Sequence, residues 1–282
     1  MTAIDLVAAR HRPRPRPRPA LPRGDLRAVK IVWQRELMRA ARDKPRLLTA
    51  LLQPLLYLFV LGAGMATMTV GGGDALRTFM FPGVVLMAVL FTSFSSAGSL
   101  VWDREFGFMR EMLVAPVSRG AILLGKALGG ASAGTVQGAI VLAVGIAAGV
   151  PCRLASLPAL LAEIFVAAFG VTALGLLLAV RIRVMPSFVG MVQLLLMPLY
   201  FLSGALFPLS GLPPWLAWAT RLNPLTYAVD PLRRTLLGDT LQVAGIQWHG
   251  WTVPVLLEVA LVAAFGGAAL ALAARRFDRD DS

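Results

Sequence analysis

Residues 79–101 read FMFPGVVLMAVLFTSFSSAGSLV, without a single charge. A helix needs about 20 apolar residues to cross the roughly 30 Å hydrocarbon core of a bilayer, and this stretch meets that length unaided. Five more stretches of the same kind lie around it. Residues 47–68 and 184–207 are also uncharged, 121–150 carry only Lys126 near the start, 159–180 carry Glu163, and 251–274 carry Glu258. The pattern predicts an all-α membrane protein with six transmembrane helices. Composition agrees: 57% of the 282 residues are hydrophobic and 15% are charged, against roughly 25% charged in an ordinary soluble domain. A soluble fold of this size could not bury that much apolar surface, whereas lipid can take it.

The net charge of +12 does not point to nucleic acid, because the basic residues cluster between the uncharged stretches. They report topology instead. With six spans both termini share a side, and that side holds 22 of the Lys and Arg residues against 5 on the other. The positive-inside rule then predicts that both termini are cytoplasmic, in a multi-pass plasma-membrane protein. The lone Cys152 excludes an intrachain disulfide and a cysteine metal site. The first 20 residues hold no continuous apolar core, so no cleavable signal peptide is expected and the first span is expected to drive insertion.

Three regions flank the spans. Residues 1–24 form a basic tail containing Arg12-Pro13-Arg14-Pro15-Arg16-Pro17-Arg18-Pro19, where alternating prolines forbid helix and favour an extended, disordered chain. Residues 25–44 place Leu26, Val29, Trp33, Leu37 and Ala40 on one helical face with basic residues mainly elsewhere. Such a basic amphipathic helix is expected in the membrane interface, with Trp33 at headgroup depth. Between the last two spans, Leu212-Pro213-Pro214-Trp215-Leu216-Ala217-Trp218 is too apolar for a free loop and too interrupted to span. Short re-entrant or interfacial helices are expected there, against the plainer alternative of an extracellular loop with interfacial tryptophans. Residues 25–275 make one transmembrane domain, and 276–282 a short cytoplasmic tail.

Two fragments imitate nucleotide-binding motifs. Gly120 to Lys126 has the spacing of a phosphate loop, but Ala127 stands where a Ser or Thr should hold magnesium, and no strand precedes it. Lys126 is expected to snorkel to the headgroups. Leu202-Ser203-Gly204 imitates part of a cassette signature but lies in the fifth span. Two histidines and one cysteine make no convergent catalytic set, so the chain reads as no enzyme.

Gly125, Gly129, Gly130, Gly134 and Gly138 form a small-residue stripe on the third span, suited to close packing within the chain or against another subunit. In the connection at 102–113, a helix would group Phe106, Met109 and Leu113. The charges there form no opposite-sign pair at helical spacing, which leaves them for water or another protein. Glu163 and Glu258 are the carboxylates well inside spans. They read either as a contact or gate for a cationic amphiphile, or as side chains snorkelling outward, Glu163 towards Arg153 and Glu258 towards His249.

Several short motifs then occur together, in order. They are Arg35-Glu36 and Arg42-Asp43-Lys44-Pro45; Asp103-Arg104-Glu105-Phe106-Gly107 with Leu113-Val114-Ala115-Pro116-Val117-Ser118-Arg119; Phe201-Leu202-Ser203-Gly204 with Phe207-Pro208; Leu212-Pro213-Pro214-Trp215; and Asn223-Pro224-Leu225-Thr226-Tyr227. Over about residues 25–275 the sequence resembles the integral membrane subunits of ABC-2 type transporters, in particular drug-resistance exporter permeases similar to the daunorubicin group. The resemblance implies that the amphipathic helix (Arg35, Glu36) and the loop (Asp103, Arg104, Glu105, Phe106, Gly107, Arg110, Glu111) contact a separate ATPase subunit, the loop as its coupling helix. It implies a second permease copy, identical or different, with ATP and magnesium on the ATPase and no cofactor on this chain. Drugs, lipids, secondary metabolites and polysaccharides are the cargo classes it implies, and the lack of charge in most spans favours an amphipathic or lipidic cargo. A proton-coupled secondary transporter, the alternative, would normally need more spans and inverted repeats, and no internal repeat is visible.

Overall fold

Long runs without charge leave the backbone no polar partner but itself, so helices are the expected outcome in lipid. The computed structural model describes residues 22–61, 73–107, 117–209, 211–238, 245–248 and 251–279, and these are mostly helical. In chain order the helices are α1 (Pro22–Arg42), α2 (Lys44–Leu56, continued by a π-turn at Tyr57–Leu61), α3 (Gly73–Ala97), α4 (Ser99–Glu105), α5 (Arg119–Ala147), α6 (Leu157–Ala179), α7 (Met185–Phe201), α8 (Pro214–Leu222), α9 (Thr226–Leu237) and α10 (Val255–Arg279). A two-stranded antiparallel hairpin, β1 (Gln247–Trp248) with β2 (Trp251–Thr252), precedes α10. The Pro-Arg tail and the last three residues lie outside the described residues.

Among the described residues four helices are long and apolar enough to cross a membrane: Arg77–Glu105, Arg119–Ala147, Leu154–Ala179 and Val255–Phe277. The first and fifth predicted spans are represented by shorter apolar helices, Leu48–Val60 and Met185–Phe201. The fifth does not run to residue 207 as the uncharged stretch predicted. The chain turns at Gly204, whose φ of +71° suits glycine. Buried Arg233 of α9 donates to the Gly204 and Ala205 carbonyls at 2.7 and 3.4 Å and lies 4.0 Å from the centre of the Phe79 ring. An arginine can thus stop an apolar helix from a distance in sequence. Asn223 reinforces the same turn by donating to the Leu199 carbonyl at 2.6 Å.

Helix α5 is the centre of the bundle and packs against α1, α3 and α6. Its glycines make this possible. A Cβ at Gly130 would meet Thr172 of α6 at 2.5 Å, one at Gly134 would meet Ser93 of α3 at 2.6 Å, and one at Gly138 would meet Ile164 and Val89 at 2.9 Å. Gly125 and Gly129 abut Val32 and Glu36 of α1 at 2.7 and 2.5 Å. All five therefore face neighbours within the chain. The tightest site was not in the predicted stripe: a Cβ at Gly145 would lie 2.0 Å from the buried Phe81 ring. Gly145→Ala is expected to destabilise the protein, because overpacking costs about 1–3 kcal/mol against roughly 1 kcal/mol gained in helix propensity. Thermal unfolding in detergent reads this out; an unchanged midpoint would contradict the packing.

Helix α1 is not a lone helix on a lipid surface. Asp25 accepts from the Ser118 backbone N–H, Val32 abuts Gly125 and Glu36 abuts Gly129. The constant sequence offset means that α1 runs parallel to α5, side by side with its first turns. Trp33 donates to Ser132 Oγ at 3.0 Å, a protein partner in place of a headgroup. The buried face is also rotated from the predicted one, since Val32 and Glu36 point in while Leu26 is exposed. Complementarity to the α5 glycines overrode the apolar stripe.

Candidate functional site

The end of the bundle where α1, α4 and the start of α5 meet carries most of the residues singled out in the sequence. Lys126 does not snorkel. Its side chain is 1% exposed, and its ammonium donates to Glu36 Oε1 at 2.8 Å, Ser99 Oγ at 2.8 Å and Asp103 Oδ2 at 2.6 Å. An ammonium has three donors, so all are used. Ser99 also donates to Glu36 Oε1, and the half-exposed Arg35 pairs with Asp103 Oδ1 at 3.0 Å. Two carboxylates thus face two cations around one buried nitrogen. The sequence reading missed Lys126 and Ser99 because helix spacing within one segment cannot show partners 90 and 27 residues away. The phosphate-loop lookalike is also settled locally, since residues 120–126 are helical turns of α5 and offer no loop cradle.

The charges at 103–105 are not free for a partner, contrary to the sequence reading. Asp103 is buried in the network, Arg104 donates to the Val180 carbonyl at 2.6 Å and lies over the Phe277 ring, and Glu105 accepts from the Met185 N–H. Nor does one helix run from Trp102 to Leu113. Helix α4 stops at Glu105, and Gly107 follows with φ +81°. Arg110 and Glu111, with Met109 and Leu113, lie outside the described residues. What this end exposes instead is a groove of about 620 Å³ between α1 and α4, where Arg35, Arg39 and Arg42 stand beside Trp102 and Phe106. Those two rings stack at 4.9 Å. A cationic groove with aromatic surface suits an acidic, partly apolar protein segment.

Behind the groove lies a cavity of about 320 Å³ between α2, α3 and α7, and Arg39 and Asp43 border both. Phe91, Phe188 and Leu196 make its wall apolar, while Thr92, Ser95 and Gln193 add hydroxyl and amide groups. Glu36 and Ser99 of the network form part of its lining. The combination can hold an amphipathic molecule: apolar surface supplies the free energy, and a few polar groups orient it.

Glu163 and Glu258 are not among the residues lining that cavity. Glu163 accepts from Thr235 Oγ1 of α9 at 2.6 Å. Glu258, 0% exposed, pairs with Arg234 of α9 at 2.6 Å, and Arg234 also holds Asp230 at 3.0 Å and the Val253 carbonyl. Outward snorkelling is therefore replaced by internal pairing, because α9 folds back over α6 and α10 and brings its own donors; His249 lies outside the described residues. Arg234 and Asp230 were invisible as partners in the sequence, where they read as loop residues. Among the described residues no group of three or more His, Cys, Asp or Glu could hold a metal ion.

The comparisons with known proteins bear on this arrangement. The family of ABC-2 type transporters matches residues 27–237. The chain is similar to nodulation protein J of Rhizobium leguminosarum bv. trifolii, 31% identical over 255 residues that cover 86% of this chain and 95% of that one. It is also similar to the ycf38 transport permease of Cyanophora paradoxa, 30% identical over 210 residues and 72% of each chain. A third relative is the inner membrane transport permease YadH of Escherichia coli K12, 27% identical over 220 residues, which are 75% of this chain and 83% of that one. The matched segment contains α1 from Arg27 onward, the buried network, the groove and the cavity. The chain belongs to the ABC-2 type transporter family, a family of membrane permease subunits that work with an ATP-binding partner.

Proposed function

We propose that this chain is the membrane half of an exporter driven by a separate ATPase, with six spans and both termini cytoplasmic. The observation that carries this reading is the adjacency of groove and cavity, which share Arg39 and Asp43. The ATPase docks in the cationic groove and the outer part of the 102–113 connection, where Trp102 and Phe106 are exposed. The cavity takes the cargo, an amphipathic drug-like, lipid or secondary-metabolite molecule. Helix α7 presents Val189, Met191, Leu194 and Met197 to the outside, and a second permease copy closes the cavity along that face. Helices α8 and α9 with the hairpin form the extracellular cap. There Trp215, Trp218 and Trp251 are exposed, as suits residues at headgroup level, and α9 enters the outer leaflet as a re-entrant helix. Glu163 and Glu258 hold this cap shut, as part of an outer gate and not as cargo contacts. The plasma membrane is the proposed location.

Purification of the tagged chain from its own cells tests the reading. A cytosolic subunit with a true phosphate loop is expected to co-purify, and transport in sealed vesicles is expected to need ATP and to survive collapse of the proton gradient. Transport by the isolated chain, or transport abolished by a protonophore at constant ATP, would overturn it.

A further inference from the structure

We propose that Lys126 is the positioning residue through which movement of α1 reaches the cavity. The inference rests on the reading that an ATPase acts on the groove. Lys126 Nζ touches both regions at once: Glu36 and Ser99 line the cavity, whereas Asp103 and its partner Arg35 line the groove. The donor and its acceptors join three helices. Glu36 is on α1, Ser99 and Asp103 are on α4, and Lys126 is on α5.

Two features make this a tie and not a loose surface pair. First, the charges are buried, so separating them leaves ions unpaired in a medium of low dielectric, a far larger penalty than in water. Second, Gly125 and Gly129 flank Lys126, and α1 backbone and side-chain atoms fill the space their missing Cβ atoms leave. There is no slack between α1 and α5. A push on the exposed face of α1 therefore moves Glu36, Lys126 and Ser99 together, and the end of the cavity lined by Glu36 and Ser99 moves with them. Neutralising charge for membrane insertion would need an ion pair somewhere. It would not need one ammonium on α5 saturated by acceptors from two other helices between groove and cavity.

The test uses the complex of the chain with its co-purifying ATPase in proteoliposomes, and a reporter that does not depend on cargo. Gln193→Cys in a Cys152→Ala background places a thiol in the cavity wall, and its labelling rate by a permeant maleimide is measured with and without ATP. The buried pair is replaced by Lys126→Met with Glu36→Gln, which removes one charge of each sign and leaves the Arg35–Asp103 pair of the groove in place. Ser99→Ala alone is a milder variant that removes one acceptor of Lys126, keeps both of its ion pairs and changes no residue of the groove, and it decides the matter if the double variant does not fold. The ATP-induced change in labelling rate is expected to shrink about ten-fold in the double variant and a few-fold in Ser99→Ala, within the range for residues that carry coupling. ATPase binding and hydrolysis are expected to persist in both. An undiminished ATP response in both, or loss of ATPase binding in Ser99→Ala, would overturn the proposal. If the parental reporter chain shows no response to ATP, it is the underlying reading that fails.

Discussion

Arg234→Met is expected to destabilise the protein by about 3–5 kcal/mol, the usual result of removing one partner from a buried ionic cluster. Arg234 stands between Asp230 and Glu258, 3.0 and 2.6 Å away, and the two carboxylate side chains are 2% and 0% exposed. Without the guanidinium, two buried carboxylates face each other, and among the described residues the Ile246 N–H is left donating to Asp230. The loss also frees the Val253 carbonyl, which Arg234 holds at the start of α10. Thermal unfolding in detergent and the amount of chain in the membrane both report on this. A second variant sharpens the argument. Arg234→Met combined with Glu258→Gln removes one stranded charge, so its cost should be clearly below the sum of the two single substitutions. Strict additivity, or an unchanged midpoint for Arg234→Met, would show that the cluster does not hold α9 to α10. The same geometry predicts that Glu258→Gln weakens export at normal expression through the cap, not through cargo affinity.

Ala50→Trp is expected to abolish the response to cargo while leaving the complex assembled. Ala50 lines the cavity from α2 and is only partly buried, so a larger side chain can enter the empty space without disturbing the buried core. An indole there would occupy a large part of a cavity of about 320 Å³. Compounds that stimulate the ATPase in the parental complex should need at least about ten-fold higher concentrations, equivalent to roughly 1.4 kcal/mol of lost binding. Basal hydrolysis and co-purification should not change, because Ala50 is not among the residues lining the groove. Unaltered stimulation would place the cargo elsewhere.

Length and patterning were enough to read this chain as helical and membrane-embedded, and short motifs in order were enough to point to its family. Hydrophobic runs act locally, and a helix in lipid satisfies its own backbone, so both are written in consecutive residues. The glycines of α5 were legible for the same reason, since a small residue at every turn announces close approach. Charge pairing was not legible. Lys126 read as a snorkelling lysine, Asp103 as a free coupling residue, and Glu258 as a side chain bound for the surface. Each is buried against partners contributed by another helix, tens of residues distant in the chain. The end of α7 was hidden likewise, because Arg233 that caps its turn belongs to α9. The sequence by itself determined the helices and the medium they sit in, because both follow from the polarity of neighbouring residues. Only the tertiary structure decided which charges meet, because a buried ion is stable only beside its counter-ion, and packing alone chooses that neighbour.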